Sequence, residues 1–202
     1  MNSSLTVFVK QIGGQVPGIK DTALANVDSF ELQVKKHQGK MYALAYGMLH
    51  NREDALEVCQ EAFVKAFQAL KSFRGEAAFG TWLYRIVVNL CIDFQRKGVT
   101  SRRTSWNQNQ EEAGLMAMSQ PGENPLRALE QKEVKKEVME ALQKLPEEQR
   151  ACIILREFEG LSYKEIARAL NCSQGTVMSR LHYGREKMKE LLKPYMRRER
   201  EL

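Results

Sequence analysis

A chain of 202 residues, 43% of them hydrophobic, can hold one domain or two small ones with real apolar cores. Its net charge of +6 points to an anionic partner, provided the basic groups cluster. Scattered cysteines (Cys59, Cys91, Cys152, Cys172) without a CxxC pair argue against a zinc site. They fit a reduced, cytoplasmic protein, and neither a membrane-spanning apolar run nor a signal-peptide layout is present.

Residues Met1 to Val27, with Gly13-Gly14 and Pro17-Gly18, read as a flexible leader without chemistry. From Asp28 or Ser29, Phe30, Val34, His37, Met41, Leu44, Ala45 and Met48 mark a first helix. His37 lies on its apolar seam and reads as a packing residue, since no second metal ligand flanks it. A second helix is expected from Asp54 to Leu70, burying Ala55, Val58, Cys59, Ala62, Phe63, Ala66 and Leu70. Its acidic side, Glu53, Asp54, Glu57 and Glu61, is either a solvated face or a dock for a basic partner.

Ser72 to Lys97 holds the third helix. Phe79, Trp82, Leu83, Ile86, Val87, Leu90 and Phe94 form its apolar stripe, and Tyr84, Arg85, Asn89, Asp93, Arg96 and Lys97 its wet face. A bundle helix with snorkelling cations would look like this. So would a helix that holds phosphates and stacks unpaired bases beside the Phe73-Arg74-Gly75 loop. From Gly98 to Pro125 periodicity is lost, polarity rises and breakers accumulate, as in a flexible linker.

Order resumes at Leu126. Leu129, Val134, Val138, Ala141, Leu142 and Leu145 share a face, and Pro146 opens the next helix, with Cys152, Ile153, Leu155 and Phe158 expected inward and Gly160 closing it. Ser162 and Glu165 then spell a capping box, Ala167 permits close helix approach, and Asn171 tolerates a left-handed turn. Ser173 caps a further helix that turns Val177, Leu181 and Met188 inward. This spacing is a helix-turn-helix, and its second helix would face base edges in a major groove. Arg180, Arg185, Lys187 and Lys189 are placed to meet phosphates. A structural hairpin with a basic face is the plainer alternative.

No Gly-rich phosphate loop, HExxH, or nucleophile–base pattern appears, so the chain reads as a non-enzyme with no catalytic residue, metal or cofactor. The fold class is all-α: two small helical domains on a flexible linker, the C-terminal one a helix-turn-helix. Two tethered binding domains gain avidity only at correctly spaced sites. A stand-alone operator-binding regulator is the competing class, but it has no use for the acidic second helix or the aromatic third. A structural adaptor leaves the basic helix unexplained.

With these features in order, the chain resembles bacterial RNA polymerase sigma factors of the extracytoplasmic-function group. The segments that carry the resemblance are DALEVCQEAFVKAFQALKSFRGEAAFGTWLYRIVVNLCIDFQRK and LPEEQRACIILREFEGLSYKEIARALNCSQGTVMSRLHYGREKMKELL. It implies a leader at 1–27, region 2 at 28–97, a linker at 98–125 and region 4 at 126–202. It implies that Asp54, Glu57, Gln60, Glu61 and Phe63 dock on the clamp helices of the polymerase beta-prime subunit, that the linker threads through the core enzyme's cleft toward the RNA exit channel, and that the beta subunit is a further partner. Arg74, Phe79, Trp82, Arg85, Asn89, Arg96 and Lys97 would recognise and melt the minus-ten element. Ser173, Gln174, Thr176, Met178, Ser179, Arg180, His182, Tyr183 and Arg185 would read the minus-thirty-five element. Where the family commonly has arginine, this chain has Met178, which implies a different promoter sequence. An anti-sigma factor binding both domains is a further implied partner; insertion into a membrane is not expected.

Overall fold

Apolar residues spaced three and four apart, with few breakers between them, dictate helices, and every regular element among the described residues is helical. The structure, a computed structural model, describes residues 22–70, 73, 77–101 and 125–198. In order, the helices are α1 (Thr22–Leu49), α2 (Arg52–Gln68), α3 (Phe79–Ser101), α4 (Pro125–Gln143), α5 (Glu147–Ile153), α6 (Tyr163–Ala169) and α7 (Gln174–Arg198). A single π-helical turn, Ile154–Phe158, prolongs α5.

The first three helices pack together as a bundle. Met41, Leu44 and Met48 of α1, Val58 and Phe63 of α2, and Leu83 and Val87 of α3 are all but excluded from water. Each such burial contributes about 1.5–3 kcal/mol. Helix α1 begins at Thr22, ahead of the expected Asp28. It ends at His50, which takes the left-handed conformation (φ 52°) while its N–H donates to the Tyr46 carbonyl at 2.7 Å. Helix α2 starts before Asp54 because Asn51 is the cap: its Oδ1 accepts from the Glu53 and Asp54 amides at 2.9 and 3.1 Å.

The second bundle comprises α4 to α7. Leu142, Leu145, Ile153, Leu155, Ile166, Val177 and Leu181 form its centre. Two expectations fail here. Phe158 is 56% exposed, because the π turn adds a residue and slips the buried stripe by one position. Val134 is exposed, on the outer turn of α4.

The two bundles share one continuous core. Tyr84, expected on the wet face of α3, is buried instead, since the second bundle covers it and Glu159 accepts its hydroxyl at 2.7 Å. Gly98 to Ser101, expected in the linker, continue α3. The leader up to Asp21, the linker from Arg102 to Asn124, and Arg74 lie outside the described residues.

Candidate nucleic-acid and polymerase interface

Local hydrogen bonds fix the geometry of the helix-turn-helix. Ser162 Oγ accepts from the Glu165 amide at 3.3 Å, and Glu165 Oε2 accepts from the Ser162 amide at 2.8 Å and from its hydroxyl at 2.6 Å. Those bonds favour the ionised form, holding the Glu165 carboxyl below its ordinary pKa. After α6, the Cys172 amide donates to the Ala167 carbonyl at 3.0 Å across the turn, and Asn171 adopts φ 49°. Val177 and Leu181 then fill the angle against Ile166 and Ala167. A Cβ at Gly184 would stand 3.0 Å from Ile153 Cγ1, so α7 crosses α5 at close range.

The solvent face of α7 carries the expected readers in unequal roles. Gln174, Met178, His182 and Tyr183 are exposed; Met178 is 57% and Tyr183 63% accessible, and the rings of His182 and Tyr183 meet edge to face. Ser173 is occupied as the helix cap, with its Oγ accepting from the Thr176 amide at 3.0 Å and bonded to the Thr176 hydroxyl at 2.9 Å. Ser179 Oγ donates back to the Gly175 carbonyl. The two arginines have carboxylate partners: Arg180 approaches Glu148 at 3.6 Å, and Arg185 donates to Glu157 at 2.6 and 2.9 Å.

On the first bundle, Glu57, Gln60 and Glu61 of α2 are exposed on one side, with Glu61 paired to Lys65 at 2.9 Å. Asp54 is half-buried at the capped start of the helix. Phe63 does not belong with them. It is 2% exposed, because its face of α2 turns into the bundle core, so it supports the acidic surface from behind.

Along α3, Arg85, Asn89, Asp93, Arg96 and Lys97 point to solvent. Phe79 and Trp82 are half-buried in an aromatic cluster, with Phe73 4.9 Å from Trp82 and 5.8 Å from Phe79, and Phe30 6.1 Å from Phe79. Phe79 meets Phe30 and Phe73 edge to face, while Phe73 and Trp82 are tilted at 40°. His37 closes the cluster: its ring lies 5.8 Å from Phe79, and a Cβ at Gly80 would stand 2.9 Å from its Cε1. Burial, with Lys36 and Lys40 nearby, lowers its pKa.

Burial pushes the thiols of Cys59, Cys91 and Cys152 up to about 12, which makes them packing groups and not nucleophiles. No group of three or more His, Cys, Asp or Glu that could hold a metal occurs among the described residues. No helix of the described residues is long and apolar enough to cross a membrane. Arg150, which sequence reasoning passed over, is 5% exposed between the bundles. Its one sequence signal is its place immediately before Ala151–Leu155, an unbroken apolar run that the fold buries entirely.

Two family models match the chain in the same order as the bundles: Sigma-70 region 2 over residues 33–100 and Sigma-70 region 4 over residues 135–188. Fold and surfaces together thus define a two-domain RNA polymerase sigma factor. The chain is 40% identical over 173 residues to the RNA polymerase sigma-H factor of Pseudomonas aeruginosa, covering 84% of this chain and 89% of that protein. It is 37% identical over 175 residues to the ECF RNA polymerase sigma-E factor of Escherichia coli K12, covering 84% and 90%. Among solved structures it is similar to the sigma factor RpoE in complex with the anti-sigma factor NepR from Bartonella quintana. That match has TM-score 0.64 and 25% identity, over 82% of this chain and 97% of that one. CnrH, solved with the cytosolic domain of CnrY, shares the fold at TM-score 0.58 and 23% identity, over 94% and 97%. The chain belongs to the extracytoplasmic-function sigma factors. It binds core RNA polymerase and directs initiation at specific promoters.

Proposed function

We propose that the two bundles divide promoter recognition between them, with region 2 at 28–97, a linker at 98–125 and region 4 at 126–202. In region 2 the acidic side of α2, Glu57, Gln60 and Glu61 with Asp54 at its edge, docks on the clamp helices of the beta-prime subunit. The outer face of α3 follows the minus-ten strand with Arg85, Asn89, Arg96 and Lys97, and the half-buried Phe79 and Trp82, together with Arg74, serve the same element. Unpairing a base costs a few kcal/mol, and aromatic stacking returns about 1–3 kcal/mol per base. Duplex anchoring and the polymerase supply the rest.

In region 4, α7 enters the major groove at the minus-thirty-five element. Gln174, Met178, His182 and Tyr183 face the bases, Arg180 and Arg185 meet phosphate, and Ser173 and Ser179 hold the helix start in shape. The exposed Met178 thioether suits contact with a thymine methyl, where an arginine would select guanine. The protein acts without catalysis, in the cytoplasm, under an anti-sigma factor; the complex of the related Bartonella protein with NepR supports that last point.

The observation that carries this reading is the solvent face of α7, set by a capping box and a left-handed turn and left uncovered at its first turns. Run-off transcription with sigma-free core polymerase on a promoter library tests it. Promoter-specific transcripts that require the protein are expected; tight duplex binding without any transcript would favour an operator-binding regulator.

A further inference from the structure

Helices α3, α5 and α7 enclose a half-open cleft of about 390 Å³. That lies within the range of about 300–1,000 Å³ usual for small-molecule sites, and is too small for a duplex. The buried Val88 and Ala151 give it an apolar floor. Its polar groups are Asn89, Asp93 and Arg96 from α3, with Glu148 from α5 and Arg180 from α7. The surrounding elements are pinned together. Tyr84 donates to Glu159 at 2.7 Å, and Arg150 Nη1 donates to the Met48 carbonyl at 2.6 Å. The cleft is therefore pre-formed, as most ligand sites are.

The order of groups along α3 decides what would fit. Asn89, Asp93 and Arg96 are four and three residues apart, so they share one face over about 10.5 Å of helix. A carboxamide, a carboxylate and a guanidinium thus follow one another in a line, and each matches one part of a nucleotide. A carboxamide pairs in bidentate fashion with the N6 and N7 edge of adenine. A carboxylate accepts from the ribose 2′-hydroxyl, as the acidic residue of dinucleotide-binding folds does. A guanidinium fork matches phosphate oxygens. Arg180 adds a second guanidinium from α7, since its pairing with Glu148 is long, at 3.6 Å, and readily exchanged. The apolar floor suits the face of a base. Residues assigned to two separate DNA elements are here gathered around a space of small-molecule size.

We propose that this cleft binds a free adenine nucleotide, and that the bound nucleotide withholds Arg180 from promoter phosphate. The site is independent of the sigma-factor reading; only the competition with DNA rests on it. Calorimetric titration of the full-length protein with AMP, dAMP, adenosine and inorganic phosphate tests the site. AMP is expected to bind one-to-one, about tenfold or more tighter than dAMP, which lacks the 2′-hydroxyl, and tighter again than adenosine or phosphate alone. Asp93→Ala should erase the difference between AMP and dAMP while its helical circular dichroism stays that of the wild type. In the competition arm, at constant ionic strength, AMP at ten times its Kd should raise the apparent Kd for a minus-thirty-five duplex about tenfold.

Equal affinity for AMP and inorganic phosphate would overturn the proposal, leaving only an adventitious ion on two arginines. An AMP–dAMP difference that survives Asp93→Ala would also overturn it, as would duplex binding that saturating AMP leaves unmoved. Should Asp93→Ala lose its helicity, the wild-type series of ligands decides. Failure of the sigma-factor reading would look different: no duplex binding and no promoter-specific transcript from the wild type without nucleotide, with the calorimetric series unaffected.

Discussion

Helices α3 and α7 are both basic, amphipathic and assigned to DNA, yet they are buried in different ways. Helix α7 packs through one stripe, Val177, Leu181 and Gly184, and leaves Met178, His182 and Tyr183 in water. Helix α3 packs on two sides. Leu83, Val87, Leu90 and Cys91 are buried in the core, and Tyr84, Val88 and Ile92 turn toward the second bundle. Periodicity identifies the face that a helix buries against its own neighbours. It does not reveal a second contact with a distant part of the chain, and the difference between these two helices is that second contact.

Phe63 provides the strongest test, because it separates a core role from a docking role on one helix. Phe63→Ala should cost about 3–5 kcal/mol of stability, the range for a buried aromatic cut to alanine. Denaturant unfolding measures it; a loss below about 1 kcal/mol would return the ring to the surface. On the opposite side of α2, Glu61→Lys should leave stability within about 0.5 kcal/mol of wild type. Its affinity for core polymerase should fall about tenfold or more, as a charge reversal at a complementary surface does. Equal affinity for core would remove Glu61 from the dock.

The helix-turn-helix was legible because its signals are local: Ser162 with Glu165, Asn171, Ser173 and Val177 each act within a few residues. The structure realises each one as a cap, a left-handed turn or a plug. Illegible were Tyr84, whose partner lies 75 positions away, and Arg150, which reaches one acceptor 102 positions away. Arg150 follows Glu147 and Glu148 and so looks like an ordinary surface cation, yet its acceptors are backbone carbonyls that carry no sequence signature. Phe158 was missed for a third reason, since a π turn cannot be read from apolar spacing. The acidic side of α2 was visible as charge, but charge alone does not tell a dock from a solvated face.

Arg180 sharpens the comparison from the α7 side. Its pairing with Glu148 is long, at 3.6 Å, so the guanidinium is free to exchange that carboxylate for phosphate. Arg180→Ala should weaken duplex binding and reduce the salt slope by about 1, the signature of one lost phosphate contact. A slope equal to that of the wild type would take Arg180 off the phosphate path.

The smallest expected effect concerns the start of α6. Bonds from the Ser162 hydroxyl and amide hold the Glu165 carboxyl below its ordinary value. A group whose folded-state pKa is depressed adds stability above its unfolded pKa and loses it as pH falls through the folded one. The capping box should therefore weaken as pH drops below the ordinary glutamate range, and α6 should loosen from its N-terminus. Glu165→Gln keeps an acceptor and a similar shape but does not titrate there. Its melting temperature should fall less steeply than that of the wild type between about pH 5 and 3, while the two converge at the acid end. Parallel profiles for the two proteins would mean that other carboxylates govern the acid limb, leaving the box as geometry without electrostatic weight.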